Sequence, residues 1–252
     1  MTEPNSPWLV SDDSPIIAIA GDWHGKDHLL REKLFRLAEL GVTRLHHVGD
    51  VSIYTDRAGA LFLDRVNGWA AESGVFIVVT TGNHEDWSYL WKLFDQAGAG
   101  MPGPIRSHVS VLPRGYRWTQ RNQVLMSFGG TASIDRYWRV PGVSWWPEEL
   151  PTEEDIVAVT NGGRVDMLIT HDSPNPATPK VASIRATHGS WEPPAIAYAE
   201  TGAAIITRVW EATQPKLLVH GHFHVRDSVR LNTGQQIVSL AKETPETSSW
   251  SI

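Results

Sequence analysis

The chain predicts a mixed α/β fold, two packed sheets flanked by helices, from three observations. Apolar runs of strand length alternate with helical patterns over the first hundred residues, as in parallel β-α-β units. Short β-type runs broken by turn residues fill the middle, and a hairpin pattern closes the chain. Polar residues cluster where the apolar runs end, the edge at which ligands gather in such sheets. With 252 residues and 41% hydrophobic content, one domain over 1–252 can bury a full core, with 1–14 and 243–252 as loosely ordered ends.

The elements follow in order. IIAIA at 16–20 is a nearly continuous apolar strand, as expected when both faces of a sheet are covered, and runs into Gly21 and Asp22. Leu29, Leu30, Leu34, Leu37 and Ala38 give a helical face in 27–40. RLHHV at 44–48 leads to Gly49 and Asp50; Leu61, Phe62, Val66, Trp69 and Ala70 mark a helix in 58–72. VFIVVT at 75–80 leads to Gly82 and Asn83, and Trp87, Leu90, Trp91 and Phe94 mark a helix in 86–96. HVSVLP at 108–113, YRWTQ at 116–120 and QVLMSFGG at 123–130 read as antiparallel strands. Thr152 and its acidic followers open a short helix to about Thr160, the acidic turn suiting the helix dipole. VDMLIT at 165–170 precedes His171, a helix is expected in 195–213, and KLLVH at 216–220 precedes Gly221 and His222. Residues 225–241 form a hairpin turning near 232–234.

Composition narrows the function. A net charge of −6 and a pI near 6.0 argue against a generally basic, nucleic-acid-gripping surface. Two bound divalent ions would still add about four positive charges in one pocket, so the acidic total says little about an anionic substrate. The absence of cysteine excludes disulfides and thiolate zinc sites. A start carrying Glu3, Asp12 and Asp13 is unlike a signal peptide, and no window of about 18 apolar residues occurs, so a soluble, cytoplasmic protein is expected.

Five clusters carry groups that bind hard divalent metals: GDWHG at 21–25, GD at 49–50, GNHE at 82–85, TH at 170–171 and GHFH at 221–224. They offer Asp22, His24, Asp50, Asn83, His171, His222 and His224, enough for two ions sharing one carboxylate. Asp22 and His24, like His222 and His224, stand two apart, and side chains two apart at a strand end point the same way. Oxygen and nitrogen ligands without sulfur suit manganese, iron, zinc, cobalt or nickel over calcium, with manganese or iron favoured. The plainer alternative makes these residues turns and caps.

In this order the motifs resemble the calcineurin-like metallophosphoesterase superfamily, with its D-x-H, G-D, G-N-H-E/D, H and G-H-x-H, over roughly residues 16–227. The resemblance implies a four-layer α/β/β/α sandwich with two mixed β-sheets. It also implies Asp22, His24, Asp50 and His224 on one metal, Asp50, Asn83, His171 and His222 on the other, and His84 beside the scissile phosphate as catalytic residue. The implied reaction is hydrolysis of phosphate mono- or diesters by a hydroxide bridging two divalent ions, with His84 assisting the departing group. A nuclease or cyclic-nucleotide phosphodiesterase with aromatic stacking is the competing enzyme, nucleic acid entering only as substrate. A non-catalytic metal-binding scaffold is the reading from another class.

Other residues divide between packing and function. Glu85 is expected to cap the helix after it; His46, His47 and His220 are expected to be satisfied or exposed strand histidines, and His28 and His108 surface residues. Trp8, Trp69, Trp91, Trp118 and Trp210 fit core or helix-face positions, whereas Trp138, Trp145, Trp146 and Trp191 fall in the long loops 129–150 and 173–195. GGTASIDRYWRVPGVSWWPEEL resembles an insert of bacterial and phage-type relatives, read as one wall of a substrate cleft or, equally, as a structural flap packed on the sandwich. Trp23, Arg136, Arg139 and His188 are the candidate substrate contacts. GDVSIYTD and TTGNHE depart from the protein serine/threonine phosphatase branch, which has V-D-R-G after its second motif and an arginine before G-N-H-E, so phosphoprotein specificity is not expected. GNHE followed by THDSP is also similar to RNA lariat debranching enzymes, although Asp22 stands where those lack the aspartate.

Overall fold

Alternation at β1 (Ile17–Ala20) shows how the layers are built: Ala18 and Ala20 face one core, Ile17 and Ile19 another. The computed structural model describes residues 16–187 and 189–242, and the backbone of Glu246–Ser248. Trp8 and His188 therefore lie outside the described residues.

The first sheet contains β1, β2 (Arg44–His47), β3 (Phe76–Thr80), β4 (Gly103–Pro104), β5 (Val109–Leu112) and β12 (Glu246–Ser248), in the order β12-β1-β2-β3-β5-β4. Its helices are α1 (Leu30–Glu39), α2 (Arg57–Ser73) and α3 (Trp87–Ala97), whose Leu34, Phe62, Val66 and Leu90 close on Ala18, Leu45 and Ile77. The second sheet runs β10-β11-β9-β8-β7-β6, from β6 (Arg117–Gln120), β7 (Gln123–Phe128), β8 (Met167–Thr170), β9 (Leu217–His220), β10 (Asp227–Arg230) and β11 (Gln236–Ser239). Helices α4 (Glu153–Thr160) and α6 (Pro193–Thr213) cover it through Ile156, Ile206 and Val209 on Met126, Leu168 and Leu218. Between the sheets lie Ile17, Ile19, Leu125, Ile169, Val219 and Val238, giving the four layers. Both sheets are mixed, and no described helix is long and apolar enough to cross a membrane.

Three expectations need correction. Of the middle runs only β6 and β7 pair antiparallel; β5 lies parallel to β3 and β7 parallel to β8, because α3 and α4 return the chain to the same end of the sheet. Helix α5 (Pro179–Thr187) occupies part of the expected loop 173–195; it buries Val181 alone, so its sequence carries little amphipathic signal. Strand β12 pairs with β1 inside a stretch expected to be loose. Thr152 caps α4 in a reciprocal box with Asp155, at 3.2 Å and 2.9 Å.

Candidate metal centre

The parallel pairings β1-β2-β3 and β8-β9 bring Ala20, His47, Thr80, Thr170 and His220 to their strand ends, and every cluster follows one of these. The clustered residues are not strand residues, however. Asp22, His24, Asp50, His222 and His224 have φ of 56°, 48°, 58°, 68° and 55°, the left-handed region that costs a side-chain-bearing residue about 1–3 kcal/mol. The two-apart pairs thus converge through alternating left-handed turns rather than through strand alternation. Backbone bonds hold the turns: Asp22 N–H to the Gly49 carbonyl at 3.0 Å, His24 N–H to that of Asp50 at 2.8 Å, Gly221 N–H to that of His171 at 3.1 Å. Glycine is required at 49, where φ is +107° and a Cβ would sit 2.5 Å from His171 Nδ1, and at 82, where it would strike the Asp50 carboxylate.

Two sets of ligand atoms result, Asp22, His24, Asp50 and His224, and Asp50, His171 and His222, each within 4.8 Å of one another and sharing Asp50. Asp50 Oδ1 accepts the N–H groups of Asn83 at 3.1 Å and His84 at 2.9 Å. Its Oδ2 is left 3.6 Å from His24 Nε2 and 3.3 Å from His171 Nε2. His24 and His224 bring their Nε2 atoms to 2.9 Å. Asn83 Oδ1 lies 3.1 Å from His171 Nε2, bringing the seventh predicted residue to the second set.

These donors fit cations. His171 Nδ1 donates to the Val48 carbonyl at 2.7 Å, so a neutral ring aims the Nε2 lone pair at two oxygens, Asp50 Oδ2 and Asn83 Oδ1. Three lone pairs facing one point require a positive charge between them. Asp22 Oδ2 is buried without a hydrogen-bond partner, a second opening of the same kind. Burial disfavours charged His171, yet the Asp50 carboxylate pushes its pKa up to about 10, so a proton competes for the place of a cation. Burial would raise Asp50 too, but the charges of His171 and His84 hold it well below the usual carboxylate range. Burial pushes His222 down to about 4, leaving a neutral imidazole suited to ligation.

His84 stands beside these sets, its Nε2 4.0 Å from Asp50 Oδ2. Arg139 Nη2 lies against both of its ring nitrogens, 3.1 Å from Nδ1, while ion-paired to Asp135 at 2.8 Å. Burial lowers the His84 pKa, and the adjoining guanidinium acts in the same direction.

The remaining candidates separate. Trp23 is 1% exposed, packed edge-on against His47 in the first core, and so does not line a cleft. Arg136 stacks on the Tyr198 ring at 3.6 Å and donates to the Tyr137 hydroxyl at 2.7 Å. Asp86, not Glu85, caps α3, accepting Tyr89 N–H at 3.0 Å. Glu85 is fully buried, bracing the ligand loops by accepting the N–H groups of Val51 at 2.8 Å and Gly82 at 2.9 Å. Burial and the neighbouring Asp50 charge push its pKa up to about 8.

His46 bonds Gln120 at 3.0 Å; His220 donates to the Gly221 carbonyl at 2.9 Å and buried His47, its pKa lowered to about 3 by burial, accepts Gly49 N–H at 3.2 Å, while the Nε2 atoms of His47 and His220 are buried without a hydrogen-bond partner among the described residues. His28 is exposed, and His108 stacks on Phe76. Trp91 is 39% exposed on its helix face, edge-on to Phe94, and Trp146 is buried; Trp69 and Trp118 are partly buried and Trp210 is buried. Trp138 stacks on Trp191 at 4.7 Å, joining the two long loops.

A cavity of about 1080 Å³ opens beside the second set, with His222 and Asp172 in its wall and an otherwise largely apolar lining from Ile134, Ala182, Trp191 and Ala203. Residues that the sequence pattern does not mark include Ser133, which accepts the Asn83 amide N–H, Glu149, which holds Ser133 from behind, and Asp172, which anchors Arg185 at 3.1 Å in the cavity wall.

Two mixed sheets between helices thus carry, at their strand ends, two candidate metal-binding sets that share one aspartate. The calcineurin-like phosphoesterase family model matches residues 16–226, and the chain belongs to that family. Among solved structures it is similar to a dimetal phosphatase from Danio rerio, with 14% identity, 92% of this chain and 88% of that one covered, and a TM-score of 0.57. It is also similar to the TT1561 protein of Thermus thermophilus, with 13% identity, coverage of 90% and 89%, and a TM-score of 0.52. At these identities the likeness is one of fold. None of the curated proteins matches the chain.

Proposed function

We propose that this phosphoesterase works with two divalent transition ions, manganese or iron, on small phosphate esters. Asp22, His24, Asp50 and His224 would hold one ion, and Asp50, Asn83, His171 and His222 the other. The observation that carries the reading is the pair of ligand sets meeting at Asp50 Oδ2, with lone pairs that, among the described residues, a proton on His171 would otherwise have to neutralise. The dimetal phosphatase named above supports it. Bound ions supply Lewis acidity to the phosphoryl oxygens and acidify water.

The chain's own groups do the rest. His84 reaches the same pocket without belonging to either ligand set and can hydrogen-bond the departing oxygen or an equatorial one. Arg139, fixed by Asp135 and by the Ser144 carbonyl at 3.4 Å, adds a positive charge that needs no reorganisation during reaction. The apolar cavity beside His222 would receive the organic part of the ester. A scaffold role does not call for His84 and Arg139 at that place. The nuclease or cyclic-nucleotide reading has one specific support, the 74% exposed Trp138 stacked on Trp191, a platform for a base.

The test is an assay of metal-reconstituted protein on an aryl phosphate monoester, its diester, cyclic nucleotides and single-stranded nucleic acid. Turnover of the small esters is expected. Exclusive cleavage of nucleic acid would replace this reading with the nuclease, and two bound ions with no turnover would leave the scaffold.

A further inference from the structure

The proposed ligand Asn83 can serve only if its carbonyl oxygen, not its amino group, faces the second ion. Asparagine has no intrinsic preference between the two, so something must choose. Asn83 is 2% exposed, and its Nδ2 donates to Ser133 Oγ at 2.9 Å. Ser133 Oγ in turn lies 2.5 Å from Glu149 Oε2, the short separation of a hydroxyl donating to a carboxylate. Glu149 is itself fully buried.

The polarity of this chain of hydrogen bonds is set at its far end. Glu149 Oε1 accepts the Ser133 N–H at 2.6 Å, the Trp145 indole N–H at 2.9 Å and the Tyr198 hydroxyl at 3.1 Å. The first two groups can only donate. With Glu149 ionised and its Oε2 accepting as well, the Ser133 proton is committed to the carboxylate, and the serine oxygen has only lone pairs left for Asn83. A flipped amide would set Oδ1 against those lone pairs and a nitrogen without a free pair against the cation.

We infer that Glu149 is a positioning residue which, through Ser133, orients the Asn83 amide so that its carbonyl faces the second metal. The inference rests on the two-ion reading above. It also gives the tryptophan-rich insert a purpose: Ser133, Trp145 and Glu149 all belong to it, so the insert fastens the metal site from behind.

The decisive variant is Glu149→Gln, nearly identical in shape. The two obligate donors fix the glutamine carbonyl on the Oε1 side, so its NH2 must face Ser133 Oγ. The serine then accepts from Gln and passes its proton to Asn83, which favours the wrong rotamer. Ser133→Ala instead leaves the amide free, and the cation itself can select the carbonyl. Manganese binding to the full chain, followed by calorimetry and by the electron paramagnetic resonance of the coupled pair, reads out both.

Second-site affinity should fall about 10–100-fold in Glu149→Gln with the first site unchanged, the range seen when a ligand's supporting hydrogen bond is removed. Ser133→Ala should lose less, and the double variant should recover to the level of Ser133→Ala. That recovery separates orientation from structural damage, which would accumulate. Two ions bound by Glu149→Gln as tightly as by wild type, or losses that add in the double variant, overturn the inference. A wild-type chain binding fewer than two ions removes the underlying reading as well, so the two failures are distinguishable.

Discussion

Replacing His84 with alanine separates chemistry from metal binding. Its Nε2 is 4.0 Å from the shared Asp50 oxygen and its ring lies against Arg139, outside both ligand sets. The side chain is 33% exposed, so truncation opens little core, and Arg139 keeps its ion pair to Asp135 at 2.8 Å. Thermal stability should therefore stay within about 2 °C of wild type. Positioned proton donors contribute about 10²–10⁴-fold, so kcat should fall by that factor, about 3–5 kcal/mol of barrier.

The assay compares esters of graded leaving-group acidity while metal content is measured on the same samples. If His84 protonates the departing alkoxide, the loss is large for alkyl esters and small for a nitrophenyl ester, whose leaving group needs no proton. If it steadies charge on the phosphoryl group, the loss is uniform. Parallel loss of metal and activity would refute the assignment, because His84 would then be a ligand.

Asp50→Asn turns an amide nitrogen towards both ligand sets and should cost on the order of 100-fold or more in affinity for both ions at once, read by equilibrium dialysis. Trp138→Ala, at a 74% exposed position, should leave stability within about 0.5 kcal/mol but raise KM for aromatic esters, measured by steady-state kinetics. Burial raises the Glu149 carboxyl from 4.5 to about 7, so its contribution to stability is full below 4.5 and lost as pH climbs through 7. Denaturation of metal-free wild type against Glu149→Gln should show that difference growing over this window to at most about 3 kcal/mol; a flat difference would contradict it.

The strands and the five clusters were legible because both depend on local pattern: apolar runs such as FIVVT, and hard ligands at their ends. The direction in which β5 and β7 pair was not, since a four-residue apolar run reads the same in either orientation and the crossover helices decide. Helix α5 escaped because a helix burying one residue leaves no periodic trace. The left-handed turns at Asp22 and Asp50 were hidden because only glycine advertises such a backbone in sequence. Trp23 shows the opposite error: flanked by two ligands it looks like a pocket residue, yet the left-handed backbone at Asp22 and His24 sends it into the core. Ser133 and Glu149 stood in the tryptophan-rich insert, but their link to Asn83, 50 residues away from Ser133, exists only in three dimensions.

The number and spacing of cations at Asp50 decide most directly whether this is a two-ion centre. Anomalous diffraction from crystals soaked in manganese should show two ions about 3.5–4 Å apart, both ligated by Asp50, with Asn83 Oδ1 on the one nearer His171. A single ion, or two that do not share Asp50, would contradict it.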